Sequence, residues 1–178
     1  MISGLKTGYS YSFAVSAVNF NGEGPVSSYV TFTACTSPSS LSPPTTSSTT
    51  ATTLSFVWTP PSDNGGCSIT SYALYLDDGN GGSFTNTDSS TIANKPYLRS
   101  HTVTLTSSDT GNNYRVYLVA SNEIGSISSS LTSVLLASVP DTPASPYTDS
   151  TITNQYQIYV EYATPTSDGG SAIENYQL

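Results

Sequence analysis

Two blocks of this 178-residue chain are written twice, about 100 residues apart. Gly8, Tyr11, Ala17, Asn19 and Gly22 recur as Gly111, Tyr114, Ala120, Asn122 and Gly125. The stretch from Trp58-Thr59-Pro60-Pro61 to Tyr72-Ala73-Leu74 recurs from Tyr162 to Tyr176-Gln177-Leu178. A period of this length is too long for a solenoid unit, which needs neighbours to bury its core, and it suits an independent β-sandwich strung in tandem. The repeat frame divides the chain into a tail at 1–35, a whole copy at 36–139 and a head at 140–178, with the natural polypeptide expected to continue on both sides.

Within each copy the dominant pattern is strict alternation, as in Tyr9-Ser10-Tyr11-Ser12-Phe13-Ala14-Val15, Leu54-Ser55-Phe56-Val57-Trp58 and Tyr72-Ala73-Leu74-Tyr75-Leu76, each bounded by Gly, Pro, Asn or Asp. Alternation at period two marks strands of half-buried sheets, and no window carries an apolar stripe at helical spacing with caps. The fold class is all-β. In the central copy seven strands are expected near 44–49, 53–59, 69–77, 82–87, 98–106, 112–121 and 128–136. The proline-bearing runs Thr36-Ser37-Pro38-Ser39-Ser40-Leu41-Ser42-Pro43-Pro44 and Ser138-Val139-Pro140-Asp141-Thr142-Pro143 read as stiff, extended linkers.

Only 9% of residues are charged, about a third are Ser or Thr, and the net charge is −8, so the solvated faces are polar without being ionic. Four basic residues cannot neutralise a run of phosphates, which argues against nucleic acid as a partner. No apolar run approaches the ~20 residues of a membrane-spanning helix.

Trp58 followed by Pro60-Pro61 and Gly65-Gly66, then Ile69 and Tyr72, then Tyr114 with Ala120-Ser121-Asn122 and Gly125, together resemble the fibronectin type III domain. In the first copy Gly4-Leu5-Lys6-Thr7-Gly8-Tyr9-Ser10-Tyr11 is similar to that family's tyrosine-corner approach, and Ala17-Val18-Asn19 to Gly22-Glu23-Gly24-Pro25 to its last hairpin. The resemblance implies tandem immunoglobulin-like β-sandwiches of the fibronectin type III type, with residues 1–35 supplying the last two strands of one domain, 36–139 a complete domain, and 140–178 the start of a third. It also implies that Trp58, Tyr72, Tyr114, Tyr11, Tyr162 and Tyr176 are core signature positions. The central copy has Ser108 where the first has Leu5, so Leu105 or Val103 is expected to supply that core contact.

In the resembled fold Cys35, at the end of one copy, and Cys67, in the loop after the second strand of the next, lie at the same pole. This implies a disulfide between copies, with two unrelated thiols or pairing to other chains as the alternatives. The next junction aligns Ser138 and Ser171 with these positions, so the thiols come as a pair.

Other polar clusters read as turns. Asp77-Asp78-Gly79-Asn80-Gly81-Gly82 invites a calcium reading but lacks the alternating ligands and closing Glu of a helix-loop-helix site, and a hairpin accounts for it. Asp63-Asn64-Gly65-Gly66 and Asp168-Gly169-Gly170 are turns likewise. His101, the one histidine, has no orienting third group and reads as a surface residue. No catalytic, cofactor-binding or metal residue is expected. Asn-x-Ser/Thr acceptors and an Arg-Gly-Asp tripeptide are absent from these residues, whereas the Ser/Thr/Pro linkers suit O-linked sugars.

The function expected from this pattern is a non-catalytic structural or adhesive segment of a long extracellular or cell-surface array, filament- or coat-forming. Its partners would be neighbouring domains, copies of itself, other surface proteins or glycans. Alternatives are a receptor ectodomain, the spacer of a secreted enzyme, or an intracellular scaffold. A head-to-tail filament, in which 140–178 of one chain complements 1–35 of the next, is a further option.

Overall fold

The computed structural model describes residues 1–87 and 92–177. Its centre is a two-sheet β-sandwich. One sheet has three strands in the order β5 (Thr45–Thr49), β6 (Thr53–Val57), β9 (Ser100–Thr104). The other joins β7 (Ser71–Leu76), β8 (Thr85–Asn86), β10 (Asn113–Ser121), β11 (Ser126–Ser128) and β12 (Thr132–Leu135), with β10 between β7 on one side and both β11 and β12 on the other. All pairings are antiparallel.

Alternation in the sequence becomes alternation in burial. In β7 Tyr72, Leu74 and Leu76 point inward, and in β10 Tyr114, Val116, Leu118 and Ala120 do the same. The opposing sheet supplies Leu54, Phe56, Trp58 and Val103, and Ile92, Leu41, Val134 and Leu136 close the ends. Leu105 packs against this cluster from the rim. On the outer face, the register that sets Tyr75 opposite Tyr117 stacks their rings at 4.9 Å, with Phe84 edge-on to Tyr117 at 5.1 Å.

Among the described residues helix is confined to one 3₁₀ turn at Ser107–Asp109, entered through a Thr106/Asp109 capping box. The expected 128–136 strand is broken. β11 ends at Ser128 and β12 begins at Thr132 because the Ser129 hydroxyl, rather than a backbone group, accepts the Leu118 N–H at 3.0 Å while Ser129 N–H reaches Leu118 O at 2.8 Å. The same device stands at Ser27, whose hydroxyl accepts the Val15 N–H and whose N–H reaches Val15 O. β8 is much shorter than the expected 82–87, because the residues before it are tied into a turn. Asp78 Oδ1 accepts from the Asn80 and Gly82 N–H groups, which leaves Gly82 outside the ladder.

Before the sandwich, β1 (Ser10–Phe13) pairs with β4 (Val30–Thr33), and β2 (Val18–Asn19) with β3 (Gly22–Glu23). After it, β13 (Tyr147–Thr148) pairs with β14 (Val160–Glu161). The face of β1 and β4 is open, with Phe32 and Val30 exposed. Tyr11 is half-buried, and its hydroxyl accepts the Lys6 N–H at 2.8 Å across the corner. Tyr162 and Tyr176 meet at 4.8 Å with a 46° tilt, the arrangement that Trp58 and Tyr72 have at 5.8 Å and 50°.

Trp58 and Tyr72 are buried, and neither Trp58 Nε1 nor Tyr72 Oη has a hydrogen-bond partner among the described residues. The Arg99 guanidinium lies 5.2 Å over the Tyr72 ring. Burial raises the Tyr72 hydroxyl above its ordinary range, against the opposing pull of Arg99. A phenol harder to ionise in the folded state than in the unfolded one gives stability that is fully present below pH ~10 and lost as pH rises through the folded value. Tyr72→Phe removes the unsatisfied hydroxyl, and we expect it to stabilise the sandwich by about 1 kcal/mol at neutral pH. It should also flatten the alkaline decline, both being read by urea unfolding between neutral pH and ~11.

Candidate functional site at the Cys35 junction

The most structured polar site lies where the end of the first segment meets the loops of the sandwich. Three elements build it. The first is the stretch after β4, from Ala34 to Thr36. The second is the loop between β6 and β7, turned by Asp63 and Asn64, whose carboxylate and amide oxygens accept the Gly65 and Gly66 N–H groups at 2.8 and 2.9 Å. The third is the tip of the β10–β11 hairpin, where Asn122 is followed by Glu123 and Ile124.

A disulfide joins Cys35 to Cys67, with Cα atoms 5.7 Å apart. Backbone bonds support it: Thr36 N–H donates to Gly65 O at 2.9 Å and Ser39 N–H to Asp63 O at 2.9 Å. Asn122, buried at 7% exposure, ties all three elements together. Its Nδ2 donates to Thr36 O at 2.7 Å and Asn64 O at 2.9 Å, and its Oδ1 accepts from the Ile124 and Gly125 N–H groups. A buried amide with donors and acceptor both used is a specific fastener, because losing any one partner strands a desolvated polar group. Sequence reasoning placed Asn122 in a hairpin motif but not in this role.

Glu123 was not singled out in the sequence. Its Oε1 lies 2.9 Å from Cys67 Sγ and 3.4 Å from Cys35 Sγ. The only signal available was the comparison of copies, which puts Phe20 at the equivalent hairpin position.

Beneath the disulfide, Gly66 faces Gly8. Both have positive φ, +79° and +82°, and a side-chain carbon on Gly66 would stand 2.7 Å from Gly8 Cα and 2.8 Å from Thr7 Cγ2. The second junction repeats this contact. A carbon on Gly170 would stand 2.7 Å from Thr110 Cγ2 and 3.1 Å from Gly111 Cα. Ser138 N–H donates to Gly169 O at 2.8 Å and Asp141 N–H to Ser167 O at 3.0 Å, matching Thr36 to Gly65 and Ser39 to Asp63.

These bonds correct one alignment made from sequence. Gly8 N–H reaches Ala34 O and Gly111 N–H reaches Leu136 O, so Cys35 is equivalent to Ala137, not to Ser138. The hairpin of the second copy is one residue shorter, since Gly22 and Ser27 correspond to Gly125 and Ser129, and this shifts everything after it. The second junction therefore has Ala137 and Ser171, and no bridge.

The remaining candidates are structural. Asp77 is buried and ion-paired with Arg115, Nε to Oδ2 at 2.6 Å, and also accepts the Arg115 and Gly79 N–H groups. Burial works against its ionisation, but those hydrogen bonds outweigh it and hold the carboxyl below the ordinary range. Its oxygens are thus engaged in fixing the turn rather than presented to an ion. His101 is half-buried on β9, opposite Phe56. Among the described residues no helix is long and apolar enough to cross a membrane.

The central sandwich matches a known domain family. Residues 38–134 match the fibronectin type III domain family. The chain is 28% identical, over 99% of its length, to Fibronectin type-III domain-containing protein 3a of Gallus gallus, and spans 14% of that relative's length. Its fold is similar to the chicken CNTN1 FN1–FN3 crystal structure, with TM-score 0.50 and 16% identity over 88% of this chain and 52% of that one. It is also similar to the solution structure of a fourth FNIII domain from human, with TM-score 0.49 and 25% identity over 61% of this chain and 87% of that one. With its antiparallel two-sheet sandwich and this match over residues 38–134, the chain belongs to the fibronectin type III domain family.

Proposed function

We propose that this chain is a stretch of a tandem fibronectin type III array that acts as a structural or adhesive spacer. One complete domain at 36–139 is flanked by the last strands of one domain at 1–35 and the first strands of another at 140–178. The observation that carries the reading is the repeated junction. Gly8 on Gly66 and Gly111 on Gly170, with matching backbone bonds beside each, make the same set of contacts twice along the chain. A spacer works by holding its ends at a defined separation, and a repeated rigid joint serves that purpose better than a free linker.

The disulfide favours an oxidising setting, at the cell surface or outside the cell. Neighbouring domains, copies of the chain, or surface proteins and glycans are its proposed partners. A low-charge coat of hydroxyls resists nonspecific association, leaving specificity to loops and sheet edges.

The joint is tested by Gly66→Ala. A methyl there meets backbone, which cannot swing aside, so the junction must open. Small-angle scattering should show a broadened distance distribution for the variant, while Trp58 fluorescence keeps its buried character. An unchanged distribution would refute the rigid-joint reading. The compartment is tested separately by peptide mapping of the chain from its native source without reduction. Two alkylatable thiols at Cys35 and Cys67 would overturn the extracellular assignment.

A further inference from the structure

Among the described residues one group of side chains could hold a metal ion. The Cys35 and Cys67 sulfurs and a Glu123 carboxylate oxygen lie within 4.8 Å of one another. We propose that this trio, once its disulfide is reduced, binds a single divalent cation of the zinc class, so that the junction has two closed states, one covalent and one metal-bridged.

The chemistry suits such an ion. Two thiolates and a carboxylate are ligands that zinc accepts in tetrahedral geometry, at about 2.3 Å to sulfur and 2.0 Å to oxygen. Those bond lengths put the ligand atoms about 3.5–3.8 Å apart along the edges of the tetrahedron. Glu123 Oε1 is already 2.9 and 3.4 Å from the two sulfurs, and cysteines with Cα atoms 5.7 Å apart can separate their sulfurs by that much through side-chain rotation alone. Glu123 is exposed, which leaves the fourth position to water.

What makes this a built site is the fastening behind it. Asn122 bonds the carbonyl of Thr36, next to Cys35, and that of Asn64, in the Cys67 loop, to the hairpin that carries Glu123. None of those bonds involves sulfur, so they hold the three ligands in register after the S–S bond is cut. The copies agree: the hairpin with Phe20 and the junction with Ala137 and Ser171 each lack the ligand set.

The step balances as a thiol–disulfide exchange. A thiol reductant delivers two electrons and two protons, leaves as its own disulfide, and yields the Cys35 and Cys67 thiols. Cation binding then releases both protons to solvent.

The test uses the whole chain, reduced with a non-thiol phosphine and titrated with Co²⁺ as a spectroscopic probe. The expected result is a thiolate-to-cobalt charge-transfer band that saturates at one equivalent and is bleached by Zn²⁺. The oxidised chain should give no band. Glu123→Gln, on an exposed hairpin tip, should weaken binding at least ~10-fold, since even outer partners of metal ligands cost that much. The Cys35→Ser/Cys67→Ser double variant should abolish the band, with circular dichroism and Trp58 fluorescence reporting an intact sandwich. No saturable band in the reduced chain, equal uptake by the oxidised chain, or undiminished affinity in Glu123→Gln would each overturn the proposal.

Discussion

Phe56→Ala is expected to destabilise the central sandwich by about 3–5 kcal/mol, the range for emptying an aromatic site in a close-packed core. Phe56 has no exposed surface, and its neighbours come from both sheets, so the space cannot collapse without moving a strand. Phe32→Ala, at a residue 61% exposed, should cost less than ~1 kcal/mol. The contrast discriminates between readings of the domain boundaries. If residues 1–35 held a core of their own, the two substitutions would weigh alike. Trp58 lies inside the central sandwich, so its fluorescence in urea reads the Phe56 variant, while far-UV circular dichroism over the whole chain reads the Phe32 variant.

The second large effect is expected from the disulfide. A bridge closing a sequence separation of 32 residues removes denatured-state freedom worth roughly 3–4 kcal/mol on the chain-entropy account. The loop includes the linker, β5 and β6, so losing the bridge weakens the sandwich itself and not only its attachment to the first segment. Cys35→Ser should therefore lower the urea midpoint seen at Trp58 and steepen the slope, because the denatured chain without its cross-link is less compact. The variant, studied metal-free, should also show a wider spread of particle dimensions in scattering. If the midpoint falls while the dimensions stay fixed, Asn122 and the Gly8–Gly66 contact alone set the angle. If the midpoint does not move, the entropic account is wrong for this loop.

The strands that span a whole buried face were plain in the sequence. Tyr72 to Leu76 and Asn113 to Ser121 alternate without a break, and period two leaves no other way to bury them. Features decided by a single hydrogen bond were not. The break after Ser128 depends on a serine hydroxyl standing in for a backbone acceptor, and serine is equally at home within a polar strand face. The alignment of Cys35 failed for a related reason. One residue lost from a hairpin is absorbed at the turn and leaves no mark on the alternation that follows.

The site divides along the same line. Cys35 and Cys67 could be paired because the resembled fold puts the end of one copy and the loop after the second strand of the next at the same pole. Asn122 and Glu123 owe their importance to atoms that are 56 or more residues away in sequence, and no local pattern records that. Tyr72 and Trp58 were recognisable as core, but the lack of partners for their polar atoms among the described residues was not, because it follows from how two sheets meet.

The Cys35–Cys67 bridge also changes how the chain carries a pulling force. Tension applied from the first segment passes through sulfur directly to residue 67, so the linker, β5 and β6 are shunted out of the load path. Those bypassed residues, spanning 32 positions, cannot be drawn straight even after the sandwich gives way, which withholds about 110 Å of contour at ~3.5 Å per residue. The junction at Ala137 and Ser171 has no such shunt. Under load the stretch from Cys35 to Cys67 stays looped while the matching stretch from Ala137 to Ser171 is free to lengthen, and the oxidation state of two sulfurs decides whether that asymmetry exists.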